Sequence, residues 1–371
     1  MVTPLNQLLE GSSETGLPEL RGLLKELLGT AGGRARVIKQ QRLGSEPPRV
    51  YRLSLDLDGR RSSLIIKRLR PSIAQRNRLV ISSWLPAVGL EDSGPILLGA
   101  AAERNCHCVW HVYEDFGDWG LNGAGQCPER VKAAVVLLAQ LHLRFADHAL
   151  LAECRLDGAD YGPGFFRTNL RDALRCLKAL VPPRVKISRE QIALRDRLVA
   201  RLQDLSKQAA EREQQQSELC IPETLLHGDL WTTNFVILPM RSGFHARLID
   251  WDHAGVGPIT YDLSTFLLRF PPQERAWILN FYREQTAPNG WKLPEPPELN
   301  LLFETAEYAR FANRVIWPAL ALIEQKAEWA FPALAEVEQW FEEWQPVLPN
   351  QGTAGLVEAD GPVTTFKDDS R

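Results

Sequence analysis

Between residues 225 and 238 the chain reads LLHGDLWTTNFVIL, in which two apolar runs enclose a polar turn holding His227, Asp229 and Asn234. Short apolar runs bounded by turn residues are strand-like and buried, so the polar residues sit on a tight loop held at both ends. Sixteen residues after Asn234 the apolar strand RLID ends in Asp250, with Asp252 close behind. Alone, the first segment reads equally as a structural turn, and Asp250 as a turn cap. In this order they form a donor set of two carboxylates and one amide oxygen, hard ligands suited to a hard cation such as Mg²⁺.

The rest of the chain divides by texture. Residues 1–33 read as a leader with a short helix around Glu19–Leu28. Residues 34–115 are strand-rich: RVIKQQRL, VYRLSLDL and SLIIKRL are short and alternating, with a hairpin turn through Asp58-Gly59. Ala74–Val88 reads as a helix, and Ile96–Leu98 and Cys108–Tyr113 as two further strands. Residues 116–348 are mainly helical. ERVKAAVVLLAQLHLRFADHALL carries apolar residues at helical spacing, Arg189–Gln215 is a long charged helix after the Pro182-Pro183 breaker, and 225–268 returns to short strands. Residues 349–371, rich in Gly, Thr and Asp, read as a disordered tail.

His227-Gly228-Asp229-Leu230-x-x-x-Asn234 resembles the catalytic loop of protein kinases, H-x-D-L-x-x-x-N. In that arrangement Asp229 accepts or orients the proton of the attacking hydroxyl, Asn234 reaches a metal on the phosphates, and His227 braces the loop. Lys67, ending the apolar run Leu64-Ile65-Ile66, stands upstream on the third predicted strand, where a lysine contacts the α- and β-phosphates. A lysine there also reads as one snorkelling to water. Gly44 and Ser45 lie where a phosphate-covering loop belongs, although that segment has one Gly and two Pro.

These residues make the chain resemble the aminoglycoside phosphotransferase and choline kinase group of small-molecule kinases. The matching segments are VYRL, IIK at Lys67, VYEDFGD, LLAQLH, HGDLWTTN and IDWDHAGVGPITYDLSTFL, spread in order over residues 34–270. The resemblance implies an α+β, two-lobed protein-kinase-like fold: a small antiparallel N-lobe with one helix over a larger helical C-lobe. It implies ATP as donor with Mg²⁺ held by Asn234 and Asp250, Asp229 as base, Lys67 on the phosphates, and Val112, Tyr113 and Glu114 as the hinge beside adenine. Asp262 then reads as a structural brace. Only eleven residues separate Asp250 from Asp262, which leaves no room for the activation segment that docks a protein, so a small-molecule hydroxyl is the expected acceptor.

One feature departs from the group. No Asp or Glu occurs between Asp58 and Glu91, so the helix carboxylate that usually faces the strand lysine is missing. Either Asn77 or Gln75 substitutes, or Asp250 alone positions Lys67. The alternative function is a catalytically degenerate, kinase-like nucleotide binder.

Composition settles less. A net charge of −3 gives no reason to expect nucleic acid or an anionic membrane as partner. Residues 34–79 hold thirteen Lys/Arg against three Asp/Glu, whereas 295–345 hold ten acids against three bases. That acidic C-terminal region, with Trp317, Glu304 and Glu307 on one predicted helix, suits a cationic amino-sugar or amino-alcohol. Glu307 with Arg310 also reads as a surface pair. Trp231, Asp252 and His253 flank the catalytic point as further acceptor contacts. Six cysteines lack framework spacing, and Cys106-His107-Cys108 has no second ligand pair, so free thiols in a reducing cytoplasm are expected. No apolar run reaches the ~18 residues of a membrane span, and oligomeric state is not legible.

Overall fold

A computed structural model describes residues 3–4, 14–28, 36–43, 49–121 and 127–349. The expected Gly44 and Ser45 contacts and the tail beyond Pro349 lie outside the described residues.

The N-terminal lobe is a six-stranded sheet. Its strands are β1 (Thr3–Pro4), β2 (Arg36–Leu43), β3 (Val50–Leu57), β4 (Arg60–Leu69), β5 (Leu97–Ala102) and β6 (Val109–Glu114), with α1 (Leu17–Leu27) preceding β2. They run in the order β1-β2-β3-β4-β6-β5 with every described pair antiparallel. The β3–β4 hairpin turns through Asp58 and Gly59 at φ 53° and 86°, the left-handed pair that a two-residue turn matching strand twist requires. Period-two alternation sends Tyr51, Leu53, Leu55, Leu64 and Ile66 to one face, where Leu20 and Leu24 of α1 cover them. Burying each of those helix leucines stabilises by roughly 2 kcal/mol. The same alternation turns Lys67 to the opposite face, towards the second lobe.

Between β4 and β5 the chain forms α2 (Pro71–Leu79), a single π-helical segment over Val80–Trp84, and the short α3 (Leu85–Ala87). The expected Ala74–Val88 helix thus starts earlier, at a proline in the first turn, and is interrupted where Trp84 is buried. Cys106 does not continue a strand: it sits at φ 58° in the β5–β6 turn, and the buried Cys108 lies against Thr15.

The second lobe begins with α4 (Pro128–Phe145) and α5 (Leu151–Asp157), followed by β7 (Ala159–Asp160), α6 (Gly164–Lys178) and α7 (Arg189–Glu218). The long helical pattern expected from residue 129 therefore breaks after Phe145, where Asp147 adopts φ 58°. Next come β8 (Glu223–Leu226), β9 (Phe235–Pro239), β10 (Phe244–Leu248) and β11 (Gly255–Pro258), then α8 (Thr260–Leu267), α9 (Pro272–Thr286), α10 (Pro296–Gln325) and α11 (Ala330–Glu342). One core joins α4, β8–β10, α8 and α9, and a second joins α6, α7, α10 and α11. The segment YDLSTFL is helical rather than strand, because all eight residues of α8 are buried and no alternation is needed.

Strand pairing explains why residues distant in sequence meet. β8 pairs with β11 through Leu226 and Gly255, while β9 pairs with β10 through Phe235 and Leu248. The loop joining β8 to β9 and the loop joining β10 to β11 must therefore lie side by side. The Ile249 N–H donates to the Asn234 carbonyl at 2.9 Å, tying the two loops directly.

Candidate active site

The loop between β8 and β9 is held from beneath by a buried carboxylate. Asp262 of α8, fully buried, accepts the His227 N–H at 2.7 Å and the Gly228 N–H at 3.0 Å. His227, also fully buried, places Nε2 2.8 Å from the Ile249 carbonyl and its ring 4.8 Å from that of Trp251. The carbonyl can only accept, so Nε2 carries the hydrogen. His227 and Asp262 are thus braces. Gly228 adopts φ 81°, and a Cβ there would lie 2.0 Å from the His253 carbonyl oxygen, so only glycine fits.

On this platform Asp229 is partly exposed and receives the Trp231 indole N–H on Oδ1 at 2.8 Å. The Asn234 amide nitrogen donates to the Asp229 carbonyl at 2.9 Å, which fixes the orientation of the amide. Asp250 follows on a strained left-handed backbone, φ 66°.

Lys67 reaches down from β4 to both acids. Its Nζ lies 2.6 Å from Asp250 Oδ1 and 2.8 Å from Asp252 Oδ1. Desolvation in the cleft works to raise the Asp250 pKa, but Lys67 outweighs it and holds the group down at about 2. Asp252 moves the other way, lifted by burial and by the like charge of Asp250. Lys67 itself is held above its ordinary value: burial opposes its charge, and the two carboxylates prevail.

Asp252, expected from sequence among the acceptor contacts, is here a partner of Lys67. Asn77 of α2 donates to Asp252 Oδ1 at 2.9 Å, and Arg76 donates to the Asp252 carbonyl at 2.6 Å. Gln75 instead reaches Asp157 at 3.3 Å. The lysine is positioned by a chain running Asn77–Asp252–Lys67, with Asp250 as its second partner.

Other expected contacts are placed differently. Val112 and Tyr113 lie inside the ladder, paired with Ile66 and Ile65 on one side and with Gly99 and Leu97 on the other. Glu114 closes the strand, its N–H on the Ile96 carbonyl at 3.0 Å. His253 is exposed, and its carbonyl accepts the Tyr161 hydroxyl at 2.6 Å. Glu304 pairs with Arg212 at 2.7 Å and accepts the Tyr308 hydroxyl at 3.0 Å. Glu307 with Arg310 is no surface pair. Glu307 is 3% exposed and its Oε1 takes Arg310 together with the Ser264 hydroxyl. Trp317 is exposed on α10.

Sequence reasoning missed four residues around this loop: Tyr161, beside Gly228, and Tyr261, Arg269 and Arg310, within reach of the Asp229 charge. Tyr261 was the most accessible, being next to the brace Asp262 in the YDL segment. Among the described residues no group of three or more His, Cys, Asp and Glu is disposed to hold a metal ion. The hard-oxygen set of Asp250 and Asn234 fits Mg²⁺ bound jointly with phosphate. No helix among the described residues is long and apolar enough to cross a membrane.

Comparison with known proteins agrees with this architecture. A spectinomycin phosphotransferase in complex with ADP and spectinomycin superposes with a TM-score of 0.54 at 13% identity, covering 84% of this chain and 91% of that one. An ethanolamine kinase of Plasmodium vivax gives 0.57 at 13% identity over 90% and 92% of the two chains. A choline kinase of Streptococcus pneumoniae gives 0.50 at 12% identity over 88% and 99%. At such identities the likeness speaks for the fold. No curated protein sequence matches the chain. The profile of the phosphotransferase enzyme family matches residues 95–299, more than half of the chain, from the end of the N-terminal lobe through the catalytic loop to the start of α10. The chain belongs to the phosphotransferase enzyme family and is a small-molecule kinase.

Proposed function

We propose that the protein transfers the γ-phosphoryl group of ATP to a hydroxyl of a small molecule, with Asp229 as base. The observation that carries this reading is the pairing of Lys67 with Asp250 at 2.6 Å across the cleft, directly beside the loop of Asp229 and Asn234. Lys67 donates to the α- and β-phosphates once nucleotide displaces part of its present ion pairing. Asp250 and the Asn234 amide oxygen would hold Mg²⁺, which when bound would draw charge from the phosphate oxygens. The adenine edge meets the main chain where the ladder ends, at Glu114 and the residues after it, because Val112 and Tyr113 are engaged by strands on both sides.

Asp229 takes the proton of the acceptor hydroxyl as its oxygen bonds to the γ-phosphorus. The bond from that phosphorus to the β–γ bridging oxygen breaks, and ADP leaves with the electron pair. Holding hydroxyl and phosphate in line supplies most of the rate, since this transfer needs little covalent help from the protein. The eleven residues between Asp250 and Asp262 form a short turn, β11 and the start of α8, which favours a small acceptor over a protein.

ADP release by the full chain with Mg·ATP, over a panel of small alcohols and sugars, tests the proposal. Magnesium-dependent turnover that requires an added small-molecule hydroxyl is expected. Transfer to protein substrates alone, or nucleotide binding without turnover on any acceptor, contradicts it.

A further inference from the structure

The segment that joins the two lobes is fastened to the sheet of the first. Beyond Glu114 the chain runs Asp115-Phe116-Gly117-Asp118, and Asp115 turns its carboxylate back onto β3 and β4. Its Oδ2 accepts the Ser63 hydroxyl at 2.6 Å and lies 2.9 Å from Arg52 Nε. Its Oδ1 accepts the Gly117 N–H at 2.9 Å, and Gly117 adopts φ 77° to close that turn. Arg52 reaches on to Asp118 at 2.6 Å. The Asp115 side chain is 5% exposed, and its partners all belong to the β3–β4 hairpin or to its own turn. The far end of the segment belongs to the second lobe. There the Trp119 and Gly120 carbonyls accept Arg130 of α4 at 3.0 and 2.9 Å, and the Leu121 N–H donates to the Phe235 carbonyl at 3.0 Å.

Strand register puts the anchors of Asp115 on the same face as Lys67. Arg52 pairs with Ile65, Ser54 with Ser63 and Val50 with Lys67, so these six side chains share one face of the hairpin. Ser63 and Lys67 stand four residues apart on β4, about 13 Å at roughly 3.3 Å per residue. One strand thus carries the anchor of the linking segment and the lysine beside Asp250, at a fixed spacing. Asp115 and Phe116 are half-buried, and their N–H groups donate to no group among the described residues. Those two donors are open to a ligand in the cleft. A carboxylate that only closed a surface turn would need neither the arginine nor the hydroxyl.

We infer that Asp115 is a positioning residue for the donor nucleotide: held by Arg52 and Ser63, it sets the main-chain donors of Asp115 and Phe116 at a fixed distance from Lys67, where they receive a ring nitrogen of the base. The inference rests on the kinase reading above and adds how this chain spaces base against phosphate. The carboxylate itself touches no ligand. Its oxygens are taken by the protein, and it acts through the turn that it closes. Loss of Asp115 loosens the segment from the hairpin but leaves the pairing of Lys67 with Asp250 and Asp252 in place. Recognition of the base and recognition of the phosphates should therefore separate.

Calorimetric binding to the full chain tests this, with Mg·ADP as the complete probe and Mg·pyrophosphate as the probe without a base. Asp115→Ala should weaken Mg·ADP about tenfold or more, the scale of lost hydrogen bonds to a charged group, and leave Mg·pyrophosphate within about twofold. Asp115→Asn keeps an acceptor for the Gly117 N–H and should lose less. Ser63→Ala removes one anchor and should weaken Mg·ADP about threefold with Mg·pyrophosphate unchanged, which keeps the comparison available should Asp115→Ala fail to fold. Equal loss of both probes would make Asp115 a purely structural residue and overturn the inference, as would Mg·ADP affinity unchanged in either alanine variant. Unchanged Mg·ADP affinity with turnover intact would leave the kinase reading standing. Loss confined to Mg·ADP, in a chain that turns over no acceptor, would sink that reading and leave this one.

Discussion

Lys67 and Asp252 are joined at 2.8 Å, and Asn77 of α2 holds the far side of the same carboxylate oxygen at 2.9 Å. In this chain the carboxylate beside Lys67 comes from the loop after Asp250, and the helix contributes only a neutral amide. Asp252→Ala should therefore raise the KM for ATP about tenfold with a smaller fall in kcat, since the interaction places the nucleotide before the transition state. Asn77→Ala should act in the same direction by about threefold. Steady-state kinetics with varied ATP checks both. An unchanged KM in Asp252→Ala would remove Asp252 from this role.

Trp231 donates to Asp229 at 2.8 Å and carries Arg269 on its face. Trp231→Phe keeps the ring but deletes the N–H, so kcat should fall about tenfold, the scale of one hydrogen bond to a charged group. The unfolding midpoint should barely move, because Trp231 is only partly buried. Parallel measurement of kcat and thermal midpoint separates the two.

The buried Asp262 serves two backbone donors at once. Asp262→Ala leaves the His227 and Gly228 N–H groups without their acceptor and should cost about 3 kcal/mol, read by urea unfolding. Asp262→Asn keeps an oxygen for one of the two and should cost less. Equal stability of Asp262→Ala and the unaltered chain would mean that the loop is held by other means.

Acid should weaken the N-terminal lobe through His111, which pairs with Lys67 across β4 and β6 and lies 2.8 Å from the Tyr113 hydroxyl. Burial, reinforced by the charge of Lys67, pulls its imidazole down to about 4. The unfolded chain takes up this proton near pH 6.5, the folded chain only near 4, so the contribution is complete above about 6.5 and is lost as pH falls towards 4. The full difference is worth about 3 kcal/mol. Asp250 acts lower, losing its contribution between about pH 4 and about 2. Urea midpoints between pH 4 and 7.5 should slope steeply, and His111→Gln should flatten that slope.

Much of the site was legible in the chain because it depends on local order. Lys67 lies near the end of an alternating strand, and the spacings of Asp229, Asn234 and Asp250 are those of two loops on paired strands. The link from Asn77 through Asp252 to Lys67 was only half legible. The absence of a helix acid was plain, but its replacement depends on how α2 docks against the turn after Asp250. Arg269 and Arg310 were invisible as a pair, since helical periodicity marks a buried face without showing which charges share it. For the same reason Glu307 and Arg310, three residues apart, read as a surface pair although Glu307 is buried and Arg310 only partly exposed. Val112 and Tyr113 read as a hinge segment because VYE alternates as strand to its last residue, and only the pairing on both sides shows that the two lie inside the ladder.

The central claim, that Asp229 activates the acceptor on a nucleotide site assembled by Lys67 and Asp250, is tested most directly by Asp229→Asn. Its kcat and its ATP dissociation constant should be measured side by side. The account predicts kcat lower by about 10²–10⁴-fold, the usual worth of a general base, with ATP affinity within about threefold of the unaltered chain. Turnover retained within tenfold would contradict it.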